Sequence, residues 1–453
     1  MSVELNYPQS LDMMAKKPAV PAEPLITRFR SDNSTYSAGD IIRIEISTGG
    51  RNQFLLPNDS FLSFDFVSTH TATAGNVRID GSAYSIFRRA RVIHGATTLI
   101  DIQNCGRLWN ALRDAMVAFS SRSVDEIRLA GDADSATQMS VNNYVAGRQL
   151  VSGTTYDSAF CLPLGLVGSL SKTATPLGMM GASSLFLELE IAPHAQIVTT
   201  REYANADGAI GTSTGLTLTS FVLSNIYYNA KIVTLDEPYA QALMSAYSGR
   251  PLVLPATDYI GEMKVISAGA STINEKFAFS RSSVNGMLWW LSNSNVANGV
   301  VTSNNLGEGT CHRQGGNLSE YYVAVSGKNL LSVYAGAGVS GFFKGSVSVS
   351  QIGRIFNNMS SVDGMGILNF GNYCSTVDTY AGAVANTKRF VGAYSLERYD
   401  ADSKYASGSN LVGQDVRLVA LMTAGLSEQQ NLYGYAMCDV GFQLIDGQLQ
   451  LLS

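Results

Sequence analysis

Ile41-Ile-Arg-Ile-Glu-Ile46 decides how this chain is read. Ile42, Ile44 and Ile46 fall on one side of an extended backbone, and Arg43 and Glu45 fall on the other. A period of two marks a strand with one face buried and one face wet. The pattern returns in Phe61-Leu-Ser-Phe-Asp-Phe-Val67, where Leu62, Phe64 and Phe66 share a face. It returns again where Leu185, Leu187, Leu189 and Ile191 alternate with Glu188 and Glu190. Ser37-Ala-Gly-Asp40 and Leu56-Pro-Asn-Asp-Ser60 read as turns between such strands.

Further along, Ile226 to Leu235, Phe277-Ala-Phe-Ser280, Tyr321-Tyr-Val-Ala-Val325, Val416-Arg-Leu-Val-Ala420 and Val440-Gly-Phe-Gln-Leu444 are strand candidates. Two stretches read as helix. Leu108, Leu112, Ala115 and Met116 make an apolar stripe at helical spacing. Asp236 suits an N-cap, Glu237 and Pro238 a first turn, and Gly249 a stop. Pro18, Pro21 and Pro24 are spaced by three, which favours an extended arm over a helix or a central strand. The expected organisation is an arm over 1–26, a β-rich unit over 27–236, a helical linker over 237–249 and a second β-rich unit over 250–453. Many short strands with few helices point to an all-β chain of two tandem sandwiches of the jelly-roll type. No short repeat period is present, which argues against solenoids and propellers.

Composition limits the function. The 453 residues are 45% hydrophobic, enough for large cores, which excludes a disordered chain. Only 15% are charged, against roughly 25% in an average soluble domain. Sparse charge is expected where much surface is covered by other subunits. The net charge is −5, and the cationic runs are no longer than Lys16-Lys17 and Arg88-Arg89. Counterion release needs clustered cations, so direct nucleic-acid binding is not expected. The cysteines Cys105, Cys161, Cys311, Cys374 and Cys438 are odd in number and lack CxxC spacing. They are expected to be reduced thiols of a cytosolic or nuclear protein. Residues 1–30 lack the apolar stretch of a signal peptide, and no run approaches the roughly 18 apolar residues that span a bilayer. Export by the usual route is not expected.

The motifs that could carry chemistry are incomplete. Gly336-Ala-Gly338-Val-Ser-Gly341 matches a dinucleotide fingerprint, but a strand-like segment follows where a helix is required. Gly211-Thr-Ser213-Thr-Gly215 matches a nucleophile elbow and again runs into a strand pattern. His70, His94, His194 and His312 form no ligand pair, and Cys311-His312 is not a zinc spacing. Asp400-Ala-Asp402-Ser-Lys404 opens like a calcium loop but has Tyr405 and Leu411 where Gly and Glu belong. No catalytic residue, cofactor site or metal site is assigned, and the chain is read as a non-enzyme. Trp289-Trp290 in a strand would face both ways, one toward a core and one toward an interface. The pair could alternatively be a stacking platform in a carbohydrate-binding or carbohydrate-active β-sandwich.

Several stretches, in order, carry a family resemblance. Tyr36 to Ile46 followed by Gly50 to Phe64 is similar to an opening strand, turn and second strand. Ile79 to Gly95 runs on into Leu99 and Asp101-Ile-Gln-Asn104, and Leu162-Pro-Leu164 with Leu185 to Ile191 looks like the close of a first barrel. Gly392-Ala-Tyr-Ser-Leu-Glu-Arg-Tyr399 with Ser407-Gly-Ser-Asn410 looks like a second-barrel signature. Together they resemble the double jelly-roll major capsid proteins of eukaryotic DNA viruses, of the polinton-like virus and adintovirus type. Cys105-Gly106 departs from the aromatic region usual after Asn104, and 281–390 matches poorly. The resemblance implies two jelly rolls per chain and a homotrimer that forms a pseudo-hexagonal tile of an icosahedral shell. It implies location in the virion after assembly in host cytoplasm or nucleus. The implied partners are further copies of the chain, a penton protein, minor capsid proteins and an internal membrane.

Overall fold

The computed structural model describes residues 22–47, 50, 52–71, 77–79, 81–116, 149–150, 155–162, 174–181, 183–199, 201–203, 210–212, 217–246, 252–293, 313, 315, 318–330, 332–334, 350–352, 355, 390–397, 408–445 and 447–452. The first half contributes β1 (Ala22–Arg30), β2 (Ile41–Ile46), β3 (Gln53–Thr71), β4 (Phe87–His94), β5 (Thr97–Gln103), helix α1 (Cys105–Met116), β6 (Thr155–Leu162), β7 (Leu185–Ile191) and β8 (Thr217–Leu235). These strands make two antiparallel sheets, ordered β1-β8-β3-β6 and β2-β7-β4-β5. In the second sheet Ile44, Leu187, Val92 and Ile100 form one cross-strand row, and each is buried. On its other face Glu188 sits between Arg43 and Arg91, at 3.6 and 2.7 Å. The period of two in the sequence is this division between core row and charged row. Phe64 of β3 meets Phe87 of β4 edge-on at 5.8 Å, closing the first sandwich.

Helix α2 (Glu237–Ala246) follows β8 directly. The carbonyl of Asp236 accepts from the amides of Tyr239 and Ala240, so Asp236 takes the N-cap position. The second half contributes β9 (Leu252–Ile266), β10 (Thr272–Phe277), β11 (Val284–Asn293), β12 (Leu318–Val325), β13 (Gly392–Ser395), β14 (Val416–Met422), β15 (Gln430–Ile445) and β16 (Gln448–Leu452). One sheet is ordered β9-β15-β11-β13, with β16 added to β15, and the facing sheet is β10-β14-β12 with two short further strands on β12. Trp289 of β11 fills the core between them, 5.3 Å from Tyr321 and 5.2 Å from Phe390. Gly392 pairs with Trp289 across the ladder, and a Cβ there would run into the indole. The all-β double sandwich expected from the sequence is therefore the fold.

Three expectations are corrected. The arm read as 1–26 gives up its last five residues to β1, which pairs with β8 from Ala22 onward. Pro24 is tolerated there because β1 is an edge strand. Leu56 to Ser60 is not a turn but a bulge inside β3. Phe61 faces Asn229 and Leu56 faces Lys231, so residues 57–60 stand opposite the single Ala230. Ser60 Oγ fills the gap, donating to Leu56 O at 2.7 Å and accepting from Lys231 N at 3.0 Å. Phe277 to Ser280 is not a strand beyond Phe277. Phe279 stacks on Phe277 at 5.0 Å, so core packing produces the alternation without a ladder.

Candidate functional site

The joint between the two sandwiches is the most elaborate polar and aromatic arrangement among the described residues. Alternate residues of β11 and β15 point away from the second core. Trp290 stacks on Tyr435 at 5.2 Å and lies parallel to Tyr433 at 6.0 Å. This aromatic face is covered by the first sandwich. The Tyr435 hydroxyl lies 3.3 Å from the carbonyl oxygens of both Gln103 and Asn104, at the start of α1. The Arg107 guanidinium sits 4.7 Å over the Tyr433 ring, and its Nη1 donates to Ser292 Oγ at 3.3 Å. Gly261 of β9 leaves room for this packing, since a Cβ there would come within 2.5 Å of the Tyr435 ring. Burial pushes the Tyr435 hydroxyl well above its ordinary pKa. It therefore acts as a neutral donor.

A second contact closes the other side. The amide of Leu449 in β16 donates to His94 Nδ1 at 3.2 Å, and Gln448 Nε2 donates to Ser183 Oγ at 3.1 Å. His94 is fully buried, and burial lowers its pKa. Cys105 and Gly106 explain themselves here. A Cβ at Gly106 would collide with the carbonyls of Tyr84 and Phe87, so α1 docks flush on β4 only with glycine at that position.

The residues singled out in the sequence do not converge. Trp289 and Trp290 are both fully buried, the first in a core and the second in the joint. The sugar-platform reading is corrected accordingly, because neither ring presents a face. The expected core-and-interface pair is real, but its interface lies within one chain. His194 packs edge-on against Phe221 at 5.0 Å, and burial lowers its pKa. Cys105 and Cys438 are buried and Cys161 is half-buried, and all three are free thiols. Burial pushes the Cys438 thiol up to about 12, and those of Cys105 and Cys161 upward as well. These are the wrong direction for nucleophiles. The side chain of His70, the segments 336–341 and 213–215, Cys311, His312, Cys374, Asp400 to Ser407 and residues 1–21 lie outside the described residues. Among the described residues, no three of His, Cys, Asp and Glu are grouped to hold a metal.

The two pieces of the second-barrel signature do come together. The backbone of Ser409 exchanges two hydrogen bonds with Val284, and Leu396 N donates to Asn285 O. Ser283 and Asn285 then donate to the Asp439 carboxylate at 3.0 and 2.7 Å. The cluster is structural. Sequence reasoning missed the joint, because Arg107 lies more than 300 positions from Tyr433 and Tyr435 and the three carry no local motif.

The outer edges are apolar. Strand β1 has no partner on its free side among the described residues, and Leu25 and Ile26 are 61% and 60% exposed. Strand β9 is the edge of its sheet and exposes Val253, Met263 and Val265. Unpaired edges of this length invite pairing with another chain unless something covers them.

No protein-family model matches the sequence, and no curated protein does. Solved structures match over nearly the whole length. A chain of the Sputnik virophage, solved by cryo-EM, has a TM-score of 0.61 at 11% identity over 100% of this chain and 93% of its own. The Faustovirus major capsid protein has 0.58 at 10% identity, over 96% and 92%. The mavirus major capsid protein has 0.51 at 9% identity, over 100% and 96%. The chain has the double jelly-roll fold of these viral major capsid proteins.

Proposed function

We propose that the chain is the major capsid protein of a DNA virus, a structural protein without catalysis. The observation that carries this is the pairing of two sandwiches in one chain through a buried joint, together with full-length likeness to viral capsid proteins. Three copies would place six similar barrels in a ring, giving a pseudo-hexagonal tile. Edge strands β1 and β9 with their exposed Leu25, Ile26, Met263 and Val265 supply surface for other copies to cover. The low charge fraction fits such walls, because interface cores are depleted in charge. The division into arm, first barrel, linker helix and second barrel gives the arm to neighbouring capsomers and the barrels to the tile. Penton and minor capsid proteins, and an internal membrane, are the further partners in this reading. Its site of action is the virion, after assembly in host cytoplasm or nucleus.

Light scattering on the purified chain tests the proposal. The expected mass is three times the 48.4 kDa of one chain, even in dilute solution. A strictly monomeric mass would count against it.

A further inference from the structure

The two sandwiches repeat one connectivity. The order β1-β8-β3-β6 in the first corresponds to β9-β15-β11-β13 in the second. Likewise β2-β7-β4-β5 corresponds to β10-β14-β12 with the short strands Lys328–Asn329 and Val333–Tyr334 on β12. The hairpins close alike, His94 pairing with Thr97 and Val325 with Lys328, each across a two-residue turn. In the second sandwich, the outer face of β9-β15-β11-β13 carries Trp290, Tyr433 and Tyr435. The end of β5 and the start of α1 cover it, through Gln103, Asn104 and Arg107.

The counterpart face in the first sandwich is built alike but left open. Leu62, Tyr228 and Ile232 point into the core and are buried. Their neighbours along the strands, Phe61, Tyr227 and Val233, point the other way and are only half-buried. Ile26, opposite Lys231 on the same face, is 60% exposed. Arg28 lies 5.8 Å over the Tyr227 ring, as Arg107 lies over Tyr433 in the joint. The chain's own β5 is already used in the joint. Its counterpart in the second sandwich begins with Lys328 and Asn329, and both are exposed.

We propose that the face centred on Phe61 and Tyr227, with Ile26 at its edge, docks on the second sandwich of another copy of this chain. The strands Lys328–Asn329 and Val333–Tyr334 of that copy take the place that β5 holds in the joint. The contact is head-to-tail, so it repeats the joint from chain to chain and can close a ring. It rests on the capsid reading, which supplies self-association, and adds which faces meet.

Two measurements on the full chain test it. Ile26→Glu changes an exposed position, so native circular dichroism should be kept. Burying that carboxylate in the contact should raise the concentration at which the oligomer dissociates about tenfold or more, read by light scattering. Ile41→Lys, at a 49% exposed position opposite Glu190 on the charged face of the other sheet, should leave the mass unchanged. Amine cross-linking of mixed isotopically light and heavy chains should join Lys231 of one copy to Lys328 of another. Wild-type association in Ile26→Glu, or links between copies from Lys231 only to first-sandwich lysines, would overturn this docking face and leave self-association standing. A strictly monomeric wild type would remove the capsid reading and this contact with it.

Discussion

His94 shows how one side chain ties the protonation state of the molecule to its architecture. Its Nδ1 accepts from the Leu449 amide, so it must be neutral to hold β16 against the first sandwich. Burial depresses its pKa below the ordinary histidine range. A group depressed in the folded state contributes stability above its unfolded pKa and loses it as pH falls through the folded one. His194 is depressed for the same reason and acts in the same direction. Asp258 acts oppositely. Burial raises its pKa despite Arg281 at 3.5 Å, so its contribution is greatest in acid and lost as pH rises through its folded pKa. The wild-type Tm should therefore fall below about pH 6.5, where unperturbed histidine titrates. His94→Asn keeps an acceptor near Nδ1 and cannot titrate, so its Tm should fall less over the same range. Equal pH profiles for the two, measured by scanning calorimetry, would remove His94 from the account.

At the scale of elements, legibility followed the number of buried faces. β2 and β7 were readable to their end residues, because one face is core and the other is the Arg43, Glu188 and Arg91 row. β15 is buried without interruption from Gln430 to Cys438, and only its last stretch alternates. Its outward residues Tyr433 and Tyr435 lie in the joint, so no polar face remained to mark the period. Only Val440 to Leu444 could be recognised. β11 was legible as Trp289-Trp290 alone for the same reason. The bulge in β3 was hidden because Pro, Asn, Asp and Ser signal a turn whether a chain reverses or only bulges. Ile44→Asp places a carboxylate in the Ile44, Leu187, Val92 row and should cost at least ~3 kcal/mol. Soluble expression should be lost, and normal yield with native circular dichroism would refute the row. Deleting residues 2–21 should leave Tm unchanged and impair only assembly. Deleting 2–30 removes β1 and bares the edge of β8, so Tm should drop and aggregation should rise. Equal Tm values for the two deletions would show that β1 is dispensable.

For the whole molecule, fold class and the order of elements could be read from patterning and resemblance, while the relation between the halves could not. That relation rests on Tyr435 meeting Gln103 and Asn104, and on Arg107 meeting Tyr433, contacts between residues more than 300 positions apart. Such contacts leave no trace in local periodicity. They fix two barrels as one body, and three such bodies would give the pseudo-hexagonal tile of the proposed function. Negative-stain electron microscopy of the purified protein tests this most directly. The account expects class averages of a six-lobed tile with three-fold symmetry. Averages showing a single two-lobed body, or two barrels at variable separation, would contradict it.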